Sequence, residues 1–379
     1  MELGFLPESI INSWPEDDYS SRKLAPLVGY TPRPFSCLEI ELTTRCNLFC
    51  PSCPRVAFRQ CWINEDMPLD YFYKIYPAFD LFEAVLFRGW GEPLLNPFFP
   101  EMVRLAYQSG GRLVLATNGV ELVNLDLMPY FEAIIFRLDY GRASTYERRN
   151  PGVKFNRTIF NVSQVLHWRE NNQTDRPAVL IQFAKNRYSL NELATYLDTA
   201  VRLNPDRVVF YQPGFHVRRI DAAAQLPGDI DQDLIRRVDE SLETMARSAY
   251  LELINPPVKP DVETICPCDP DRTVFVNRRG RVAPCRNTAL PVAHGKFTRF
   301  YLGREEPQET VFFGSLLRRP FEEIFKRRDY RHFRRSCRVP EALLPARPSS
   351  PAGPSEGKVV TLGKRRLKSC LCSKQSPAG

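Results

Sequence analysis

The 379-residue chain predicts an α/β fold built on a parallel sheet. Three observations carry that prediction. Six short apolar runs lie between residues 37 and 213, and helical patterns alternate with them. Most of the runs are near-continuously apolar rather than apolar at every second position, as in parallel strands covered on both faces. The chemically distinctive residues stand at the C-terminal ends of these runs, where α/β sheets place their sites. Six βα units fall short of the eight of a closed barrel. An open (β/α)6 barrel and a doubly wound sheet both satisfy the pattern.

The elements follow in order. Residues 1–35 read as an irregular extension broken by Pro7, Pro15, Pro26, Pro32 and Pro34. CLEIEL (37–42) is a short buried strand running into a cysteine-rich loop, with a helical stretch near 69–78. AVLFRGW (84–90) is the second strand and ends in Gly89-Trp90-Gly91-Glu92-Pro93. FFPEMVRLAYQSG (98–110) has Phe98, Met102, Leu105 and Ala106 at helical spacing, and Gly110 and Gly111 stop it. RLVLATNG (112–119), AIIFRLD (133–139), VLIQFAKN (179–186) and RVVFYQP (207–213) are strands three to six. Helices are expected at about 155–170, 190–203 and 230–248.

Composition narrows the class. Hydrophobic residues make up 43% and charged residues 25%, an ordinary globular balance that argues against a disordered or fibrous chain. No apolar run reaches about 18 residues, so no membrane helix is expected. The N-terminus is acidic where a secretion signal would be basic, which makes a cytoplasmic address the default. The formal charge is +8, but residues 338–379 hold eight Lys/Arg against two acids. That tail therefore carries +6 and the body only +2. Nucleic acid is not the expected partner, and the basic KRRLKSC stretch reads as a solvated tail.

Eleven cysteines fall into two groups, one near position 50 and one beyond 265. Without a secretion signal, such clusters suggest metal binding or catalysis rather than disulfides. ELTTRCNLFCPSCPR (41–55) spaces Cys46, Cys50 and Cys53 as C-x3-C-x2-C. Three thiolates on one short loop can cap three irons of a cubane cluster and leave the fourth open. The competing reading is a zinc site completed by a distant fourth ligand, in a non-catalytic binding protein. Cys37 and Cys61 are expected to pack as small hydrophobes.

This loop resembles the signature of the radical SAM superfamily, and the similarity continues in order over about residues 36–215. Gly89–Pro93 is similar to the family's GGEP segment, Thr117-Asn118-Gly119 to its TNG turn, and RLDYGRASTYERR (137–149) to its strand-four stretch. Arg137 stands where the family has Ser, and Ser52 where an aromatic is common. The resemblance implies an open (β/α)6 partial TIM barrel with a small C-terminal auxiliary iron–sulfur domain. It implies a [4Fe-4S] cluster on Cys46, Cys50 and Cys53 whose open iron binds S-adenosylmethionine (SAM). One electron then cleaves SAM to a 5′-deoxyadenosyl radical that abstracts a hydrogen atom. By the same resemblance, Gly89, Gly91 and Glu92 hold the methionine end of SAM. Asn118, Asp139 and Arg149 are further SAM-side candidates, Arg148 being the alternative to Arg149. An electron donor such as flavodoxin or ferredoxin is implied as well.

The second cysteine group extends the resemblance. ICPCDPDRTVFVNRRGRVAPCRN (265–287) places Cys268, Gly280 and Cys285 as in the opening of SPASM and twitch domains. TVFV and RVAP read as a hairpin with Gly280 in its turn. An auxiliary [4Fe-4S] cluster would draw on Cys268, Cys285, Cys337 and a tail cysteine, Cys370 or Cys372, with Cys266 competing for the first place. The usual later cysteine pattern is absent, so an incomplete auxiliary site is the alternative. The expected domains are an extension at 1–35, a radical SAM core at 36–250, a SPASM/twitch-like domain at 251–337 and a disordered basic, Pro-rich tail at 338–379. The abrupt loss of pattern after 337 suggests a truncated or frame-shifted end. Auxiliary-cluster domains in this family often accompany peptide or protein maturation, so a peptide or protein substrate is expected. Cofactor or small-molecule metabolism is the alternative.

Overall fold

The computed structural model describes residues 33–187, 189–211, 215–223, 232–255, 269–301 and 304–337. The extension before residue 33, the tail after 337, and Cys266, Cys268, Cys370 and Cys372 lie outside the described residues.

All six expected strands form, as β1 (Phe35–Ile40), β2 (Phe82–Phe87), β3 (Arg112–Thr117), β4 (Ala133–Arg137), β5 (Ala178–Ala184) and β6 (Arg207–Tyr211). They are parallel and lie side by side in chain order. A doubly wound sheet would reverse its order at a switch point. The uninterrupted order instead winds the chain one way, as in an open (β/α)6 barrel. A further parallel strand, β7 (Glu252–Ile254), continues the sheet beyond β6.

The two faces of the sheet differ as barrel geometry requires. Leu38, Ile40, Val85, Phe87, Leu115, Phe136, Phe183 and Phe210 point outward and form the main core with the covering helices. Burying one such side chain fully contributes about 1.5–3 kcal/mol. Cys37, Ala84, Leu86, Val114, Ala116, Ile135, Leu180 and Val209 form a second cluster on the inner face. Smaller residues suit that concave side, where side chains converge.

The helix Phe155–Asn171 buries Phe155, Thr158, Val162, Val165 and Leu166, one face at helical spacing. The helices Leu193–Leu203 and Gln232–Ser248 also fall where periodicity puts them. Two elements differ from the sequence pattern. The stretch expected at 69–78 is α-helical only over Leu69–Ile75 and continues as a 3-10 turn, Tyr76–Leu81, because Pro77 has no N–H for the α-helical ladder. Between β3 and β4 only a 3-10 turn forms, Leu125–Tyr130, with Pro129 inside it.

The expected hairpin is present as β8 (Thr273–Val276) and β9 (Arg281–Ala283), with Gly280 at φ +67° in the turn. Its place was not legible beforehand. β8 pairs in parallel with β1, so the hairpin extends the barrel sheet. β10 (Lys296–Tyr301) and β11 (Arg304–Glu309) form a separate two-stranded ribbon, and β12 (Gly314–Ser315) caps the edge beside β9. No helix among the described residues is long and apolar enough to cross a membrane.

Candidate active site

The cysteine loop leaves the C-terminal end of β1 and is pinned on several sides. Arg45 grips Asp66 through two nitrogens, at 2.9 and 2.7 Å, and also donates to the Leu95 carbonyl at 2.6 Å. The Thr44 hydroxyl donates to the Ile63 carbonyl, and the Trp62 indole donates to the Thr44 carbonyl. The Cys53 N–H donates to the Cys50 carbonyl at 3.0 Å, and Cys53 starts the short helix Pro54–Ala57. The C-terminal chain braces the same loop. Residues Trp62 and Val292 form a bridge, Ala293 donates to the Cys61 carbonyl, and Arg278 pairs with Glu65 at 2.9 Å and Glu41 at 3.5 Å.

Cys46, Cys50 and Cys53 are free thiols that act electrostatically on one another. Burial, and then the Glu92 charge, push the Cys46 thiol up to about 11. Burial raises Cys50 and Cys53 as well. Buried thiols stay protonated until a cation stabilises the thiolate. Among the described residues no three His, Cys, Asp or Glu side chains converge tightly enough for a single metal ion. In a cubane cluster each thiolate would take a different iron, which spreads the ligands more widely than one tetrahedral zinc does. All-sulfur donors fit iron, and amides stand beside the sulfurs. The Asn118 side-chain N–H2 lies 3.7 Å from Cys46 Sγ, and the Cys50 thiol points at Asn150 Oδ1 at 3.5 Å.

The Gly89–Pro93 segment seats directly on this loop. A Cβ on Gly89 would meet Glu41 Cγ at 2.6 Å, and one on Gly91 would run into the carbonyl oxygens of Thr43 and Arg45. Glycine is what lets the two backbones approach. The Glu92 N–H donates to the Arg45 carbonyl at 2.8 Å. The Glu92 carboxylate accepts from the Thr117 hydroxyl and the Asn118 N–H, each at 2.8 Å, and from the Leu94 N–H at 3.3 Å. It thereby ties the second strand end to the third.

Burial raises Glu92 to about 7 despite those donors. An acid raised on folding binds its proton more tightly in the native state. Its contribution to stability is full below about 4.5 and is lost as pH rises through about 7. The cluster-free protein should therefore lose thermal stability between pH 5 and 8, by on the order of 3 kcal/mol from this group. Thermal unfolding of wild type and Glu92→Gln across that range measures it, and identical slopes would refute the assignment.

Asp139 lies at the barrel mouth beyond β4. It accepts from the Tyr211 hydroxyl at 3.3 Å, pairs with Arg137 at 3.8 Å and acts electrostatically on Cys50. Arg148 is exposed, whereas Arg149 is half-buried and within electrostatic reach of Tyr140. The cysteine loop, Glu92, Asn118 and Asp139 thus share one end of the barrel. Cys285 and Cys337 are brought together elsewhere, buried in the main core where both act on the Tyr330 hydroxyl. Cys37 and Cys61 pack among apolar neighbours, as expected of small hydrophobes.

Sequence reasoning missed several neighbours of the site. Asn150 follows the Tyr-Glu-Arg-Arg stretch and touches Cys50. Trp90 packs on Phe215 with ring centroids 5.7 Å apart and donates to the Arg286 carbonyl at 3.0 Å. Only its odd position inside a glycine segment could have signalled it.

No family model matches the chain. It is 26% identical over 321 residues to the "tungsten-containing aldehyde ferredoxin oxidoreductase cofactor-modifying protein" of Pyrococcus furiosus, covering 78% of this chain and 82% of the relative. Among solved structures it resembles Streptococcus suis SuiB bound to S-adenosylmethionine, with a TM-score of 0.53 at 13% identity, covering 83% of this chain and 70% of SuiB. It also resembles anSMEcpe with bound AdoMet and Kp18Cys peptide, with a TM-score of 0.55 at 12% identity, covering 80% and 84% of the two chains. The chain shares the partial-barrel fold of these two proteins, and its cysteine loop and ordered strand-end motifs stand at one end of that barrel.

Proposed function

We propose that Cys46, Cys50 and Cys53 hold a [4Fe-4S] cluster and that Gly89, Gly91, Glu92, Asn118, Asp139 and Arg149 line the adjoining SAM site. The observation that carries this reading is the seating of three free thiols against the glycine segment and the Thr-Asn-Gly turn at one end of the barrel. When bound, the cluster supplies the electron for reductive cleavage of SAM and so initiates hydrogen-atom abstraction. The chain's part is to hold and orient. Glu92 fixes the Asn118 backbone, and the Asn118 amide then contacts both Cys46 Sγ and Asn47 Oδ1.

The substrate proposed first is a peptide or protein, supported by the peptide held in anSMEcpe, a protein of the same fold. Modification of a cofactor is the second reading, favoured by the Pyrococcus relative, most of whose length the chain spans. Flavodoxin or ferredoxin is the proposed electron source. An auxiliary cluster would use Cys285 and Cys337, already neighbours of Tyr330, with Cys268 as a further ligand. Anaerobic reconstitution with iron and sulfide tests the reading. The protein should take up iron and form 5′-deoxyadenosine with dithionite and SAM. Stoichiometric zinc with no SAM cleavage would overturn it.

A further inference from the structure

The C-terminal chain reaches back over the barrel mouth and delivers Arg286 to it. Arg286 opens the short turn Arg286–Thr288 directly after Cys285, yet is only 3% exposed. Its guanidinium lies 5.0 Å from the centre of the Trp90 ring. It acts electrostatically on the Cys53 thiol and on Glu39, so both lie within its reach. Its Nε has no hydrogen-bond partner among the described residues.

Other buried polar atoms also lack partners among the described residues. Asn287 Oδ1 is one. Gln182, 1% exposed, leaves both amide atoms unmatched. Gln182 lies two residues beyond the inward Leu180, on the same face, and sits beside Val209 in register, so it faces the lumen. A buried donor or acceptor left unmade is destabilising, and each such group in a native protein needs a reason. Unmatched polar groups on the concave face of a barrel are what a ligand would satisfy. Glu41 is engaged by Arg278 and Asp139 by Arg137, while Glu39, on which both Arg88 and Arg286 act, leaves its Oε1 unmatched. The planar guanidinium fork matches carboxylate and phosphate oxygens.

We propose that Arg286 anchors an anionic group of the substrate, a carboxylate or a phosphate, with lumen-facing Gln182 adding an amide hydrogen-bonding pair. The proposal rests on the reading that the substrate of a radical SAM reaction binds in this barrel. It makes the C-terminal segment a contributor to substrate recognition, independent of any auxiliary cluster.

Calorimetric titration of the reconstituted protein, saturated with SAM, tests this with succinate and inorganic phosphate as separate probes. One of the two should bind at one site per chain, and which one binds tells carboxylate from phosphate. Arg286→Gln should weaken binding about tenfold or more, Arg286→Lys should restore part of it, and Gln182→Leu should weaken it by a smaller factor. Thermal unfolding checks that each variant folds. If Arg286→Gln does not fold, Arg286→Lys and Gln182→Leu decide the matter. Absence of binding by either anion, unchanged binding in the variants, or binding seen only when SAM is left out would overturn the proposal. Arg286-dependent anion binding in a protein that never cleaves SAM would leave the anion site standing and sink the radical reading instead.

Discussion

Replacing Cys50 with alanine should drop the iron bound near the barrel mouth and reduce 5′-deoxyadenosine formation to background. Cys46→Ala and Cys53→Ala should do the same. In the proposed cluster each thiolate would hold a different iron, and two thiolates on one loop would leave it under-ligated and open to solvent. The loop itself should survive, because its anchors are Arg45–Asp66, Thr44–Ile63 and Trp62–Thr44 and none of them uses a cysteine side chain. Cys61→Ala is the informative control. Cys61 lies only eight residues beyond Cys53, yet it packs with Trp62, Phe215 and Phe297. It should keep full iron content and activity. Iron and sulfide assays with chromatography of the SAM products read all four variants. Loss in Cys61→Ala equal to that in Cys50→Ala would mean that the ligand set has been misassigned.

Gly91→Ala should be the most damaging substitution outside the cysteines. The added methyl would collide with the backbone carbonyls of Thr43 and Arg45, which cannot swing away as a side chain can. One backbone must move, and the Glu92 N–H bond to Arg45 would stretch with it. Overpacking of this kind costs about 1–3 kcal/mol. The functional loss should exceed the loss of stability. The same shift pulls Glu92 off Thr117 and Asn118, and Asn118 is the residue beside Cys46. Equilibrium SAM binding should weaken by at least about tenfold while the protein remains folded. Wild-type SAM affinity in Gly91→Ala would refute the close-approach role.

Much of the fold was legible because its signals are local. Apolar runs such as VLIQFA and the one-sided face of Phe155, Val162 and Leu166 report burial wherever the chain goes afterwards. The two strand arrangements left open by that pattern differ only in which strands are neighbours, and no residue carries that information alone. The cysteine loop was equally legible, since three ligands within eight residues need no long-range geometry. The roles of the long polar side chains were not. Glu92 reads as a free acid for a cationic partner, whereas its carboxylate receives three donors from the chain itself.

The sequence by itself determined the α/β class, the strand positions and the close spacing of Cys46, Cys50 and Cys53. Periodicity and ligand spacing act over a few residues, so they are written into the order of amino acids. Tertiary structure alone decided that the strands run unreversed in an open barrel and that β8 joins β1 across more than two hundred residues. It alone carried Trp90 and Arg286 to one another, 196 positions apart, at the mouth of the site. Such contacts depend on where the apolar faces find burial together, and that balance belongs to the whole folded chain.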